Sequence, residues 1–213
     1  MNKHFFPVIL LVTLFFFSCT SQPKPVPESK TNPETASISE TKPKPDIIII
    51  QPPSLIMGKG NIPSEKLSSF LLQTNKQANS AYVRMLTQIY IEEAAHEGIN
   101  HDVAFAQMCL ETGYLKYGGL VKPEWNNFCG LGAIGPEQPG LIFPDPRTGV
   151  RAHIQHLKAY ATTEPLKQAL VDPRYRYVRL GSSPAIDGLA GTWAADKMYA
   201  VKIKDILERL YLM

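Results

Sequence analysis

One acidic residue, Glu111, ends an otherwise apolar stretch of the sequence, FAQMCLETGYLKYGG at residues 105–119. A stretch that is apolar nearly all round is typical of a central buried helix. In the last turn of such a helix, desolvation and the negative end of the helix dipole disfavour the carboxylate, so we expect a raised pKa for Glu111. A carboxylic acid that stays protonated near neutral pH can protonate a glycosidic oxygen. A helix-terminal Glu that points into water is the alternative.

Aromatic and amide side chains follow Glu111 in the glycine-rich segment YLKYGGLVKPEWNNFCGLGAIG. Aromatic rings stack on the C–H faces of sugars, and amides bond hydroxyl and N-acetyl groups. Aromatic residues also plug hydrophobic cores, so the segment alone leaves both interpretations open. The sugar-binding interpretation would use Tyr114, Tyr117, Trp125 and Phe128 with the Asn126-Asn127 pair.

Hydrophobic periodicity and capping residues predict the helices that must position these side chains. Helix dominates, so we expect a mainly α fold with a small irregular or β-containing lobe. The first predicted helix begins after a Ser64 cap. The next three run from about Ser80 to Glu97, from Asn100 to Gly113 and from about Thr148 to Ala161. A short helix within TTEPLKQALVDPRYRYV and a last helix after Asp196 complete the set.

The first 57 residues differ in composition from the rest of the chain. An apolar run at residues 5–17 follows Lys3 and ends at Ser18-Cys19, which resembles a bacterial lipoprotein signal over residues 1–19 with lipid on Cys19; simple secretion is the alternative. Residues 20–57, rich in Pro, Ser, Thr and Lys, predict a disordered tether. Its end, DIIIIQPP, fits either a strand laid along the domain or a linker. Residues 58–213 then form one domain.

The formal net charge of the 213 residues is +3, which is too small to indicate a nucleic-acid partner. From the resemblance of residues 1–19 to a lipoprotein signal, we expect an exported protein that is anchored to a membrane through its N-terminal lipid, in the periplasm or cell envelope.

Four segments together resemble the glucosaminidase family of peptidoglycan hydrolases, glycoside hydrolase family 73. They occur in the family's order across roughly residues 80–210: QMCLETG, NNFCGLG, TGVRAHIQHLKAYA and WAADKMYAVKI. The resemblance implies a lysozyme-like fold and cleavage of the β-1,4 bond after N-acetylglucosamine in peptidoglycan strands.

The resemblance also implies roles for individual residues. Glu111 would be the general acid, and Tyr199 would stand near the bound sugar or the attacking group. Asn127, Phe128 and Trp193 would form the cleft wall or its support, and the aromatic pattern adds Tyr114 as a sugar contact. Tyr199 and Trp193 have a structural alternative as core aromatics.

A second carboxylate is not marked by any motif, although glycosidases usually need two. Glu137 and Asp145, in the irregular segment GPEQPGLIFPDPRTG, are the candidates for the base. Asp145 precedes a proline, which is also a standard turn or N-cap arrangement. Assistance by the 2-acetamido group of the substrate would remove the need for a second acid.

Cysteines and histidines offer further chemistry. Cys109 and Cys129 form an even pair in an exported domain and predict a disulfide, with two buried thiols as the alternative. His153 and His156 lie three residues apart on one predicted helix, but two histidines without a third ligand make a poor metal site. We expect neither a metal nor a cofactor.

Two other functions remain open from the sequence. A lytic transglycosylase or muramidase would need the same acid on the same general fold. A non-catalytic peptidoglycan-binding lipoprotein would keep the cleft aromatics.

Overall fold

Helices are the main regular secondary structure of the described chain. The structure is a computed structural model, and it describes residues 51–213. The predicted signal peptide, Cys19 and most of the predicted tether lie outside these residues. The helices are α1 Ser64–Thr74, α2 Ser80–Glu97, α3 His101–Glu111, α4 Pro146–Ala161 and α5 Tyr199–Tyr211, with short 3-10 turns at Pro123–Trp125, Tyr175–Tyr177 and Ile186–Leu189.

The small lobe between α3 and α4 is irregular, as the sequence predicts. Its β structure is limited to one isolated bridge between Gly135 and Gln138. The mainly α prediction with a small irregular lobe is therefore confirmed.

Capping residues set several helix boundaries. Gly98 ends α2 in the left-handed region at φ 75°, and the Asn100 side chain accepts a hydrogen bond from the Asp102 N–H at the start of α3. Both caps are confirmed. Ser64 is the first residue of α1 and not its cap, which is Pro63.

Residues 162–172 do not form the predicted short helix. Buried side chains bind the backbone there instead: the Glu97 carboxylate accepts hydrogen bonds from the N–H groups of Lys167 and Gln168, and Gln155 Oε1 accepts from the Val171 N–H. These side chains satisfy donors that a helix would pair internally, so the segment follows the surface of α2 and α4.

The hydrophobic core lies between α2 and its three neighbours, α1, α3 and α4, while α5 packs on α3. Every residue of α3 from His101 to Cys109 is buried, so α3 is the central helix that the sequence predicts. Its C-terminal end reaches the irregular lobe.

The folded domain begins before the predicted boundary at residue 58. Ile56 is fully buried, its N–H donates to Pro184 O at 3.1 Å, and its carbonyl accepts from the Asn100 N–H at 2.9 Å. Leu55 and Met57 form isolated bridges with Ala185 and Ile99. Burial of an Ile side chain stabilises a fold by about 1.5–3 kcal/mol, which places this segment in the domain. Within residues 51–213, no helix combines the length and apolar character needed to cross a membrane.

Candidate active site

Glu111 is the last residue of α3, where the buried helix opens into a cleft. The Thr112 hydroxyl donates to Met108 O at 2.8 Å and accepts from the Leu115 N–H at 2.9 Å, which closes the helix end. The chain then turns sharply, with left-handed conformations at Gly113, Tyr114, Leu115 and Tyr117. Non-glycine residues in this region cost free energy and cluster at functional sites.

The Glu111 carboxyl is held by two donors from the end of the chain. The Tyr199 hydroxyl donates to Glu111 Oε1 at 2.5 Å, and Trp193 Nε1–H donates to the same oxygen at 3.0 Å. Two donors occupy the two lone pairs of Oε1, so the acid proton of a neutral Glu111 belongs on Oε2.

Desolvation by the cleft walls raises the pKa of Glu111, and the hydrogen bonds from Tyr199 and Trp193 partly oppose this rise because they stabilise the carboxylate. The side chain is nevertheless exposed to solvent through the cleft mouth. The sequence suggests a buried Glu111 side chain, and the structure differs on this point. An acid with a raised pKa that is crowded by protein and still accessible can donate a proton to a bound ligand.

A cavity of about 160 Å³ lies in front of Glu111. Gly130 lies on the Oε2 side, since a Cβ at that position would be 3.8 Å from Oε2. Among the described residues, Glu111 is the one carboxylate that lines the cavity. The remaining lining residues carry no charge: Tyr117, Gly119, Leu120, Val121, Gly130 and Ala133.

Comparison with known proteins identifies the family. The family described as mannosyl-glycoprotein endo-beta-N-acetylglucosaminidase (Glucosaminidase) matches residues 87–212, which is more than half of the chain. The chain belongs to this glucosaminidase family. The resemblance seen in the sequence is confirmed, and the protein is a glycoside hydrolase.

Two individual proteins are similar to this glucosaminidase. An uncharacterized protein of Borreliella burgdorferi is 43% identical over 155 residues, which cover 73% of this chain and 76% of that protein. A crystal structure of Staphylococcus aureus autolysin E in complex with the muropeptide NAM-L-Ala-D-iGlu aligns with a TM-score of 0.47 at 14% identity, covering 75% of this chain and 71% of that one.

Asn127 and Phe128, which we expected to form the cleft wall or its support, are both buried in the glucosaminidase domain, so they act as support and not as exposed sugar contacts. Asn127 is 1% exposed, and its side-chain amide bonds the Leu131 N–H and the carbonyls of Leu131 and Leu141. Phe128 is fully buried and packs edge-on against Tyr90. Both residues support the loop of residues 126–131, which we call the cleft loop, from its buried side.

Trp193 forms one side of the site. Its ring is half-buried and packs against Tyr160 and His156, with centroids 5.4 and 5.0 Å away. This packing aims the indole N–H at Glu111.

Tyr114 lies beside a different cavity, of about 640 Å³, between α3 and α5. Its ring packs on Phe70 and its hydroxyl bonds Arg209. Glu111 does not line this larger cavity, and the smaller cavity, which contains Glu111, is therefore the candidate active site.

The two candidates for a second carboxylate lie outside the Glu111 cavity. Asp145 caps α4: Oδ1 accepts from the Thr148 N–H at 2.9 Å and Oδ2 from the Thr148 hydroxyl at 2.7 Å. These bonds lower the pKa of Asp145, which makes it a poor base. Glu137 is exposed in the 135–138 turn of the irregular lobe.

A further carboxylate, Glu124, was missed in the sequence. It lines a groove of about 470 Å³ that shares Tyr117 with the Glu111 cavity. No motif marks Glu124; only its place in the short turn Pro123–Trp125 brings it there.

The predicted disulfide is wrong. Cys109 and Cys129 are both free and buried. Cys109, in α3, belongs to the main hydrophobic core, whereas Cys129 packs in a smaller cluster with Leu131 and Phe143. Burial raises the pKa of both thiols, so they behave as small hydrophobic residues.

Each of the paired histidines has its own protein partners. His153 is fully buried between Tyr90 and Gln107. His156 bonds Asp172 Oδ2 through Nδ1 at 2.7 Å. Within residues 51–213, no three His, Cys, Asp or Glu side chains are placed to share a metal ion.

Proposed function

We propose that the protein cleaves peptidoglycan glycan strands at the β-1,4 bond that follows N-acetylglucosamine, with Glu111 as the general acid. The observation that carries this proposal is the geometry of the Glu111 carboxyl. Oε1 is filled by Tyr199 and Trp193, and Oε2 remains to carry the proton toward the cavity.

Proton donation proceeds from this oxygen. Oε2–H protonates the glycosidic oxygen as its bond to the anomeric carbon breaks, and Glu111 becomes a carboxylate. The hydrogen bonds from Tyr199 and Trp193 strengthen as this charge develops, so they stabilise the transition state more than the ground state. Water then adds to the anomeric carbon and yields a reducing end at N-acetylglucosamine; its proton passes to the base or, in the substrate-assisted route, to the Glu111 carboxylate.

The shape of the surface favours a polymer as substrate. The Glu111 cavity and the neighbouring groove share Tyr117, so together they offer room for more than one sugar. A chain that lies across both would place one glycosidic bond at Glu111.

The residue that acts as the second catalytic group, the base, is a separate proposal. Glu124 lines the groove that adjoins the cavity, and Glu137 is exposed in the irregular lobe; both are candidates for the base, whereas Asp145 is occupied as a helix cap. Among residues 51–213, Glu111 is the one carboxylate that lines the cavity, which also fits a route in which the substrate 2-acetamido group assists.

We further propose that lipidated Cys19 anchors the exported protein to a membrane and that the Pro-rich residues 20–50 let the domain reach the wall polymer. The anchor restricts the enzyme to peptidoglycan near the membrane.

The proposed function is tested by digesting purified peptidoglycan with the full-length protein in detergent, beside the Glu111→Gln variant. Fragments are reduced and identified by mass spectrometry. We expect N-acetylglucosamine reducing ends with the wild type and none with Glu111→Gln. Muramic-acid or anhydro ends would indicate a muramidase or transglycosylase, and binding without products would indicate a binding lipoprotein.

The same digest assigns the second group. If Glu137→Gln or Glu124→Gln abolishes product formation while the variant stays folded, that residue is the base. If both variants keep wild-type rates, the substrate-assisted route is favoured.

A further inference from the structure

A line of buried side chains continues from Glu111 into the core. Tyr199 bonds Glu111, and Gln107 Nε2 donates to the Tyr199 hydroxyl oxygen at 2.8 Å. Gln107 Oε1 lies 2.9 Å from His153 Nε2, and His153 Nδ1 lies 2.9 Å from the Tyr90 hydroxyl. Four hydrogen bonds thus join side chains from α2, α3, α4 and α5.

The chemistry of the amide fixes the direction of this line. Gln107 Oε1 can only accept, so His153 carries its proton on Nε2. His153 Nδ1 is then an acceptor, and the Tyr90 hydroxyl must donate to it. Every donor therefore points toward Glu111.

The inner members of the line are sealed from water. Gln107, His153 and Tyr90 are fully buried. Burial lowers the pKa of His153 to about 3, so the ring is neutral at working pH, as the direction of the line requires. Because the line ends at a buried tyrosine, it has no outlet for a proton, and its role is orientation.

We propose that Gln107 and His153 are positioning residues that fix the direction in which Tyr199 donates to Glu111. The Gln107 N–H occupies a lone pair of the Tyr199 oxygen and leaves the single hydroxyl proton for Glu111. If the Gln107 amide turned over, its oxygen would compete for that proton. His153 prevents this, because a turned amide would place an NH₂ group against His153 Nε2–H.

The inference rests on the proposed function and is tested with the full-length protein through two readouts. The first is the pH dependence of reducing-end release. The second is the titration of the Glu111 carboxyl by ¹³C NMR, assigned by comparison with Glu111→Gln, which needs no turnover. The variants are Gln107→Met, which removes the donor, and Gln107→Glu, which keeps the shape but replaces the donor with an acceptor.

The control is Thr87→Val. Thr87 is also fully buried, and its hydroxyl bonds the Ser68 hydroxyl and Arg84 O, where α1 packs on α2. Its loss reproduces the structural cost of losing a buried hydrogen-bonding group without touching the line.

We expect both Gln107 variants to lower kcat about tenfold with little change in KM. Weaker donation from Tyr199 destabilises the carboxylate, so the Glu111 titration and the alkaline limb of the rate profile move to higher pH. Thr87→Val should lower the unfolding free energy and leave kcat and both titrations unchanged. In His153→Phe combined with Gln107→Met, the effect on kcat should not exceed that of the worse single variant, because both act through one line.

An unshifted Glu111 titration in folded Gln107→Met and Gln107→Glu would overturn the inference, even if kcat fell. If the wild type releases no reducing ends, the proposed function fails. The NMR titration then still decides whether Gln107 sets the hydrogen bond between Tyr199 and Glu111.

Discussion

The Tyr199 hydroxyl donates a 2.5 Å hydrogen bond to Glu111 Oε1, across 88 residues of sequence. Hydrogen bonds between a hydroxyl and a carboxylate are short and strong when the charge is present. This contact therefore gains strength as Glu111 gives up its proton, which is the behaviour expected of a group that assists an acid catalyst.

Replacement of this hydroxyl should change rate and pH dependence together. For Tyr199→Phe we expect kcat to fall by about a hundredfold. Because the hydrogen bond from Tyr199 lowers the pKa of Glu111, its loss raises that pKa further, and the alkaline limb of the rate profile moves to higher pH. Reducing-end release measured across pH checks this. Tyr177→Phe, which removes a hydroxyl from an exposed tyrosine, is the control. An unchanged profile for Tyr199→Phe would contradict the expectation.

The buried carboxylate of Glu93 should be important for stability. It is fully buried and accepts hydrogen bonds from Arg147, Arg151 and Gln168, which keep its pKa at about 2 despite burial. In Glu93→Gln, Arg151 loses its ion-pair partner and Arg147 keeps only Glu92, and we expect the unfolding free energy to fall by about 3 kcal/mol. Urea unfolding at neutral pH measures the loss.

Glu92→Gln is the matched control for this prediction, since Glu92 also bonds Arg147 but is exposed. Its loss should cost less than about 1 kcal/mol. Equal losses for the two variants would show that burial of Glu93 does not matter.

The neutral state of His153 predicts acid sensitivity of the fold. Its pKa is about 3 in the folded protein against 6.5 for the ordinary group, so the unfolded chain binds more protons between these values. Stability is full above pH 6.5 and is lost as pH falls through this window, by about 2 kcal/mol between pH 7 and pH 5.

Urea unfolding at these two pH values, compared between the wild type and His153→Gln, isolates this contribution. The variant should be less stable at pH 7 and lose less on acidification, because its residue 153 does not titrate. A parallel pH dependence in the two proteins would count against a neutral His153.

Gly149 should tolerate no side chain. A Cβ at this position in α4 would lie 1.8 Å from the Asn126 carbonyl oxygen, so the cleft loop would have to move. We expect Gly149→Ala to lower the unfolding free energy by about 1–3 kcal/mol. Gly119→Ala is the control, because nothing lies within 4 Å of a Cβ there. Thermal unfolding of both variants checks the difference, and equal melting temperatures would refute it.

Features that depend on neighbouring residues could be predicted from the sequence alone. The Gly98 and Asn100 caps were predicted because a cap bonds groups two to four residues away. Hydrophobic spacing alone identified α3 as the central helix and placed Glu111 at its end. The four ordered segments also sufficed to indicate the family.

Contacts between side chains that are distant in sequence became known only from the folded structure. Trp193 and Tyr199 reach Glu111 because α5 and the preceding turn pack on α3, and sequence spacing carries no information on such contacts. Packing also turned Asn127 and Phe128 inward. Residues 162–172 do not form the predicted helix because their backbone N–H groups bond the buried side chains of Glu97 and Gln155 instead of each other's carbonyls.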